Sequence, residues 1–308
     1  MTLHGLGSVT IGVPDVATTK AYYTDFGLAT DDTDWLSTTD GGRQLRLVTR
    51  SRRQLVEFEV RADTVEDISR IQASLAKLEI PFQRSDDWIS AIEPVSGAVA
   101  VIRVRPRLLE TVVPRAPFNG PGRLERAGRR AEGVLRTGRV RPRRLGHAVL
   151  GTTDLAATMR FFLDGLGFKV SDYISDIGAF MRCSDEHHNI LALAAPVSFL
   201  HHTSWQVDDV DEIGRGASAM LEDHPERHIW GLGRHHAGSN FFWYLKDPAG
   251  NFSEYFADMD CGIQDQLWKP EVFEGKEGLY NWGPPPPPSF LHPEDLAALM
   301  TGTHSAPR

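Results

Sequence analysis

The chain has 308 residues, of which 41% are hydrophobic and 24% are charged, and its net charge is −8. This composition is ordinary for a globular protein, and the length is comfortable for two domains. The negative charge argues against nucleic acid as a general partner. No apolar run approaches the ~18 residues that span a bilayer, which argues against a membrane partner.

The cysteines and the N-terminus indicate the cellular setting. Cys183 and Cys261 are the two cysteines of the chain, so no disulfide framework is implied. The first residues, MTLHGLGSVTIGVPD, lack the basic region followed by an apolar run that marks a signal peptide. We therefore expect a reducing, cytoplasmic environment.

The two halves of the sequence resemble each other, and the resemblance predicts the fold. LGSVTIGVPDVATTKAYYTDFGL from Leu6 parallels LGHAVLGTTDLAATMRFFLDGLGF from Leu145. QLVEFEVRADTVEDISRI parallels HHTSWQVDDVDEIGRG, and EPVSGAVAVIRV parallels KDPAGNFSEYFA. Each half shows a strand, an acidic turn and a helix, followed by further strands, and this succession occurs twice. The pattern predicts an α+β fold of tandem βαβββ modules around a concave surface.

Composition shifts predict the domain boundaries. Residues 121–144 hold nine arginines and almost no large apolar residues, which is typical of a solvated linker. A basic patch for RNA is the alternative, but no aromatic residues are interleaved for base stacking. Five consecutive prolines near the C-terminus predict a stiff polyproline II segment in a tail packed on its own protein. We expect an N-terminal domain over 1–115, a linker over 116–143, a C-terminal domain over 144–262 and a tail over 263–308.

Aligning the two halves provides an internal control for functional residues. Three polar, metal-capable residues of the second half lie opposite residues of the first half that form no ligand set. The pairs are His147 with Ser8, His202 with Leu55 and Glu254 with Val101. If the shared fold required polar residues at these positions, both halves would have them. We therefore infer that the second half has a function that the first lacks.

His147, His202 and Glu254 form a candidate metal site. Two histidines and one carboxylate suit non-heme Fe(II), with open positions for a substrate and O₂. Glu254 is the hardest to explain otherwise, because it shares a strand face with Phe252 and Phe256 and a buried carboxylate is costly. The spacings of 55 and 52 residues carry no local signature, so separate structural roles are the alternative.

Further groups with proton chemistry surround these three residues in the sequence. Histidine pairs occur at 187–188 and 235–236, and Tyr244 stands in the strand FFWYL. Paired histidines in turns are often solvent-exposed, and the tyrosine suits an aromatic core position. A histidine near neutrality is nevertheless the usual general acid or base.

Four segments resemble the type I extradiol catechol dioxygenases of the vicinal oxygen chelate superfamily, which also contains glyoxalases and bleomycin resistance proteins. They are LGHAVLGTTDL, DEHHNILALAAP, FLHHTSWQVDDVDEIG and GLGRHHAGSNFFWYLKDPAGNFSEYF. The similarity covers residues 3–260 and is tightest from Leu145 to Phe256. It implies two modules in one chain, with the metal in the C-terminal module. Biphenyl-type members have Asn-Asp after the Gly-Arg-His turn, whereas this chain has His236-Ala237-Gly238, so a biphenyl substrate is not implied.

The resemblance also implies roles for individual residues. The ligands of the metal are His147, His202 and Glu254; the catalytic acid/base is His188; the residues beside the substrate are His235 and Tyr244. The implied metal is Fe(II), with Mn(II) as an alternative. The implied partners are a catechol-type substrate, O₂ and further copies of the chain.

The implied function is extradiol ring cleavage, in which both atoms of O₂ enter an aromatic diol during the catabolism of aromatic compounds. Two alternatives remain. One is a glyoxalase-like metal-dependent isomerase or epimerase. The other is a metal-free protein that binds a small molecule and confers resistance to it.

Overall fold

Seventeen strands form two mixed sheets within residues 3–301, the part of the chain that the computed structural model describes. Residues 1–2 and 302–308, at the outer ends of the predicted N-terminal domain and tail, lie outside the described residues. The first sheet contains β1 (Leu3–Val13), β2 (Ala29–Thr30), β3 (Trp35–Thr38), β4 (Gly42–Thr49), β5 (Gln54–Ala62), β6 (Phe82–Arg84), β7 (Trp88–Ile92) and β8 (Val99–Val104). The second contains β9 (Arg144–Thr152), β10 (Lys169–Ile174), β11 (Gly178–Arg182), β12 (Ile190–Ala194), β13 (Phe199–Gln206), β14 (His228–Arg234), β15 (Phe241–Lys246), β16 (Phe252–Ala257) and β17 (Val272–Phe273).

Seven α-helices lie within residues 3–301. They are α1 (Val16–Asp25), α2 (Val65–Lys77), α3 (Glu132–Leu135), α4 (Leu155–Arg160), α5 (Val210–Leu221), α6 (Pro288–Leu291) and α7 (Leu296–Thr301), and α4 continues as a π-helical turn over Phe161–Gly165. Four of them, α1, α2, α4 and α5, connect strands of one sheet. None of the helices within residues 3–301 combines the length and the apolar character needed to cross a membrane.

Each sheet contains two βαβββ units, and β17 of the tail adds a ninth strand to the edge of the second sheet. The strand order is β2-β3-β4-β1-β5-β8-β7-β6 in the first sheet and β14-β15-β16-β13-β9-β12-β11-β10-β17 in the second. The leading strands of the two units, β1 with β5 and β9 with β13, pair antiparallel at the centre of each sheet. The predicted α+β fold of tandem βαβββ modules is therefore confirmed.

The acidic turn that recurs in the sequence is a helix cap. Asp15, Asp154 and Asp209 each precede a helix, and each side chain accepts a hydrogen bond from a backbone N–H of the first turn. Thr64 performs the same function before α2, in a reciprocal capping box with Asp67. Such caps satisfy donors that the first turn of a helix leaves unpaired. The repeated turn residue thus fixes where each crossover helix begins.

The strand registers correct one element of the internal alignment. Ser8 and His147 occupy matching positions, as do Val101 and Glu254. The position that matches His202 is Glu57 rather than Leu55, because Glu57 pairs with Val99 as His202 pairs with Phe252. The alignment was wrong by two residues. A β-bulge in β5 lies between the two residues, because Thr10 pairs with Glu57 whereas the next residue, Ile11, pairs with Leu55. A matching irregularity lies between Leu200 and His202 in β13.

The two halves share a continuous hydrophobic core. Helix α1 of the first half covers β16 of the second, where Phe26 stacks on Tyr255 with ring centroids 3.8 Å apart. The hydroxyl groups of Tyr22 and Ser253 lie 2.5 Å apart at the same contact. Ser253 and Tyr255 flank Glu254 in the sequence, so their side chains point to the opposite face. The N-terminal half therefore supports the strand that carries Glu254.

The arginine-rich segment is tied to the second half by ion pairs. Arg136 donates to Asp209, and Arg143 donates to Asp208 at 2.6 Å. Arg144 is buried within β9 and pairs with Glu186. Arginines of this segment thus serve as structural contacts, in addition to the solvated character expected from the sequence.

The C-terminal tail folds back across both halves of the protein. The carboxylate of Asp295 accepts two hydrogen bonds from the guanidinium of Arg53, at 2.6 and 2.8 Å. Arg53 is fully buried and also donates to the carbonyl oxygen of Leu200. Because Arg53 belongs to the first half and Leu200 to β13, this arginine joins three parts of the chain.

We expect Asp295→Asn to destabilise the protein strongly. The substitution removes the charge that compensates the fully buried Arg53. Because Asp295 itself is 21% exposed, the loss should stay below the about 3–5 kcal/mol of a fully buried ion pair. Urea unfolding measures this change in the free energy of unfolding. The double variant Arg53→Met/Asp295→Asn is the matched control, because it removes both charges and should recover much of the loss. Equal stability of the single variant and the wild type would contradict the expectation.

Candidate metal centre

The predicted ligands lie in one row across the second sheet. His147 of β9 is directly opposite Ser204 of β13, and Ser204 is directly opposite Glu254 of β16. Tyr244 of β15 extends the row, because it pairs with Glu254. His202 precedes Ser204 by two residues and so lies on the same face of β13. Three adjacent strands therefore direct the three ligand side chains to one point.

The ligand atoms converge closely enough to hold one ion. The Nε2 atoms of His147 and His202 lie 3.1 and 3.5 Å from Oε2 of Glu254. Suitable atoms of the three residues all lie within 4.8 Å of one another, and all three side chains are buried. This is the one such group of histidine, cysteine and acidic residues found among residues 3–301. Two imidazole nitrogens and a carboxylate oxygen suit a first-row transition metal with open coordination positions.

Unpaired polar atoms show that these residues fit a metal. Nε2 of His202 and Oε2 of Glu254 are buried and have no hydrogen-bond partner among the described residues. Buried polar atoms without a partner are rare in native proteins, since each costs free energy. Both atoms point into the space between the three side chains, where a cation would satisfy them. Ser204, the small residue in the middle of the row, leaves this space open.

Hydrogen bonds also hold His202 in the form that binds a metal. Nε2 of His201 lies 2.6 Å from the carbonyl oxygen of Phe290, to which it must donate. Nδ1 of His201 is then the acceptor for Nδ1–H of His202, at 2.8 Å. Consequently Nε2 of His202 carries no proton and presents a lone pair. Its pKa is well below the ordinary value, because of burial and the neighbouring His201, so the ring is neutral.

The carboxylate of Glu254 is held ionised. Burial by itself would raise its pKa, but the neighbouring imidazole of His147 holds the pKa well below its usual range. Oε1 accepts a hydrogen bond from the side-chain amide of Asn240 at 3.2 Å, which leaves Oε2 for a metal. An ionised carboxylate with one oxygen held and the other free is suited to bind a cation.

The three predicted catalytic residues lie around the same point and line one cavity. The ring centroids of His188 and His147 lie 4.2 Å apart. Burial, together with the neighbouring His147, lowers the pKa of His188 well below its ordinary value. Tyr244 and Nε2 of His235 are 2.8 Å apart, while Nδ1 of His235 donates to the carbonyl oxygen of Leu279. Tyr244 therefore donates to His235, and burial and Glu254 raise the pKa of its hydroxyl. His236 is exposed and packs on Phe273.

Four residues of the site were not predicted from the sequence. His201 and His187 are the first members of their histidine pairs, and each hydrogen-bonds the second member. Asn240 holds Glu254, and Phe290 packs against the rings of His201 and Tyr244. The repeated His-His dipeptide was a signal for the first two. Phe290 lies 36 residues beyond Glu254, and no feature of the sequence indicated that it belongs to the site.

The cavity above the ligands is small and apolar. Its volume is about 140 Å³. Aliphatic and aromatic side chains from the second sheet form most of its wall, and α6 of the tail closes one side with Phe290 and Leu291. No lysine or arginine is among the described residues that line it. The site thus offers metal ligands and hydrogen-bonding groups at one end and an uncharged surface elsewhere.

Comparison with known proteins agrees with this geometry. Residues 144–255 match the family model described as the Glyoxalase/Bleomycin resistance protein/Dioxygenase superfamily. The chain is 32% identical over 307 residues to metapyrocatechase 2 of Cupriavidus necator, covering 94% of this chain and 92% of that protein.

Solved structures show the same architecture. The Mn(II)-bound glyoxalase from Novosphingobium aromaticivorans has a TM-score of 0.74 and 25% identity, covering 95% of both chains. Homoprotocatechuate 2,3-dioxygenase from Arthrobacter globiformis also has a TM-score of 0.74, at 20% identity, covering 94% of this chain and 91% of that one. At that identity the second comparison concerns the fold alone.

The fold is the vicinal oxygen chelate fold, with the candidate metal site in its C-terminal half. The chain belongs to the extradiol dioxygenases of this superfamily, since its similarity to such an enzyme extends over nearly the whole length of both chains.

Proposed function

We propose that this extradiol dioxygenase opens the ring of a catechol-type diol beside one hydroxyl group and inserts both atoms of O₂. We further propose that the metal is Fe(II), bound by His147, His202 and Glu254. The observation that carries the proposal is the convergence of these three ligand atoms within 4.8 Å at one end of an apolar cavity. An Fe(II) ion with this ligand set would supply Lewis acidity towards a diol and a path for electrons to O₂.

The protein's own residues orient the diol and exclude water. The cavity wall is mostly apolar, so a planar ring can enter while bulk water is displaced. Tyr244 donates its hydrogen to His235 and keeps oxygen lone pairs, which can accept a hydrogen bond from a substrate hydroxyl group. These contacts would hold the ring in one orientation, which is a large part of the catalytic effect.

His188 is the residue we propose for proton transfer. It lines the cavity next to His147, and it is neutral because burial lowers its pKa. A neutral imidazole can take a proton from a diol hydroxyl group and return it later in the reaction. In our proposal His188 acts as the base first and as the acid afterwards.

Anaerobic reconstitution tests the proposed function. The metal-free protein is loaded with Fe(II), mixed with catechol and then exposed to ¹⁸O₂. We expect one O₂ consumed per ring opened and two ¹⁸O atoms in a yellow ring-fission product. Parallel samples with Mn(II) and without metal show which ion supports turnover. No oxygen uptake across a broad panel of catechols would refute the proposal.

A glyoxalase-type isomerase is the second candidate, because the Mn(II)-bound glyoxalase has the same fold over 95% of both chains. Such sites commonly use two carboxylates and draw ligands from both modules. Here the ligand set has one carboxylate and lies within the second sheet. Isomerisation of a hemithioacetal without oxygen uptake would favour this candidate.

The cavity predicts a substrate with one ring and uncharged substituents. A cavity of about 140 Å³ is comparable to the ~150 Å³ apolar cavity that binds a benzene ring. A substrate carboxylate would meet no lysine or arginine there, and an unpaired buried charge costs several kcal/mol. We expect kcat/KM for catechol and methylcatechols to exceed that for 3,4-dihydroxyphenylacetate and 2,3-dihydroxybiphenyl by at least about 100-fold. A preference for the carboxylated diol would contradict this prediction.

We also propose that the enzyme works in the cytoplasmic catabolism of aromatic compounds and assembles into homo-oligomers, as the resemblance implies.

A further inference from the structure

We infer that Asp172 and His187 determine which nitrogen of His188 carries its proton, and that they are therefore positioning residues for the reaction. The inference rests on the proposed acid/base function of His188. Neither Asp172 nor His187 lines the cavity, so both act through His188.

A chain of hydrogen bonds leads from β10 to His188. Oδ2 of Asp172 lies 2.7 Å from Nε2 of His187, and Nδ1 of His187 lies 3.0 Å from Nδ1 of His188. The other carboxylate oxygen of Asp172 accepts a hydrogen bond from the backbone N–H of Glu271, at 2.7 Å. The side chains of Asp172, His187 and His188 are all buried, so water does not compete for these hydrogen bonds.

The positions of the hydrogens follow from counting donors and acceptors. An ionised Asp172 can only accept, so the hydrogen of His187 must be on Nε2. We take His187 as the neutral imidazole, so its Nδ1 is the acceptor and needs a hydrogen from Nδ1 of His188. With its hydrogen on Nδ1, His188 presents a lone pair at Nε2. Among the described residues no hydrogen bond involves that Nε2, which leaves it available for a substrate proton.

Packing holds His187 in this orientation. Its backbone N–H donates to the carbonyl oxygen of Asp260, and its ring packs edge-on against Trp268 and Phe180. Gly238 closes the remaining side with φ = +79°, and a Cβ there would lie 3.1 Å from Nδ1 of His187. A fixed ring allows the carboxylate to transmit one hydrogen-bond direction to His188.

The histidine pair His201-His202 repeats the arrangement with a different terminal acceptor. There the carbonyl oxygen of Phe290 replaces Asp172, His201 replaces His187, and His202 is the residue whose Nε2 remains free. In both pairs the first histidine orients the second, through Nδ1–Nδ1 contacts of 3.0 and 2.8 Å. This accounts for two of the three His-His dipeptides, 187–188 and 201–202, in each of which the family resemblance implied a role for the second member only.

Asp172→Asn is the decisive variant, because it can reverse every hydrogen bond of the chain while preserving size. Glu271 N–H holds one oxygen, so the amide oxygen of Asn is expected there and the amide NH₂ faces His187. Nε2 of His187 then becomes an acceptor, its hydrogen moves to Nδ1, and the hydrogen of His188 moves to Nε2. A base that is already protonated cannot accept a proton, so we expect kcat to fall by about 10²–10⁴-fold.

The direct readout is the ¹⁵N spectrum of the histidines in protein loaded with diamagnetic Zn(II). In the wild type we expect the hydrogen of His188 on Nδ1, and in Asp172→Asn on Nε2. A wild-type His188 with its hydrogen on Nε2 would overturn the inference, even if the variant failed to fold. Unaltered Zn(II) content and an unaltered unfolding temperature in Asp172→Asn would show that the variant changes only the proton position.

Activity measurements then separate this inference from the proposed function. Asp265→Asn is the matched control, because that half-exposed carboxylate pairs with Lys169 and Arg182 away from the cavity, and its kcat should be unchanged. In a double-mutant cycle, Asp172→Asn should have no further effect once His188 is alanine. An additive loss would overturn the inference. A wild type without ring-cleaving activity would instead refute the proposed function.

Discussion

His188→Ala is expected to retain the metal and to lose turnover by about 10²–10⁴-fold, the range that general acid–base catalysis contributes. His188 lines the cavity beside His147, but it is not part of the group of converging ligand atoms. Alanine removes the proposed base and leaves His147, His202 and Glu254 in place. The metal content of the purified variant tests whether the ion is retained. The value of kcat for catechol, measured by oxygen uptake, tests whether turnover is lost.

The outcome distinguishes an acid/base from a metal ligand. Loss of the metal from His188→Ala would show that His188 binds the ion and that the proposed assignment is wrong. His236→Ala is the matched control, because His236 is exposed and lies outside the cavity lining. Its activity should equal that of the wild type.

Glu254→Gln is expected to abolish metal binding and activity while the metal-free protein still folds. Glutamine has nearly the same shape as glutamate but carries no charge. Mutating a residue that only hydrogen-bonds a metal ligand typically weakens metal binding by about 10–100-fold, so replacing a ligand itself should weaken it more. The metal-free variant should be less stable than the metal-free wild type, because the low pKa of Glu254 means that the folded state favours its ionised carboxylate.

Thermal unfolding with and without metal measures both effects. A ligand present at a concentration 100 times its dissociation constant raises the free energy of unfolding by about 2.7 kcal/mol. The metal should give no such gain to Glu254→Gln. Glu93→Gln is the matched control, because Glu93 is another buried glutamate, which accepts hydrogen bonds from Thr158 and the N–H of Ser96. It should lose stability but keep the gain on adding metal. A normal gain in Glu254→Gln would contradict the proposed ligand set.

Much of the fold was predictable because its determinants are local. Short runs rich in apolar residues define the strands, and aspartates such as Asp15 and Asp154 cap the helices that follow. The register of β5 against its partners was not predictable. A β-bulge separates Leu55 from Glu57, and the hydrophobic pattern alone does not show where a ladder leaves one residue unpaired.

The candidate site shows the same division. The sequence by itself, through the comparison of its halves and the family resemblance, singled out His147, His202 and Glu254 as candidate ligands before any geometry was known. Only the tertiary structure decided that β16, β13 and β9 are neighbours, that Phe290 returns to His201, and that Asp172 reaches His187. The physical reason is that a side chain's face follows from a local period of two, whereas strand order and returning segments depend on contacts between residues distant in the chain.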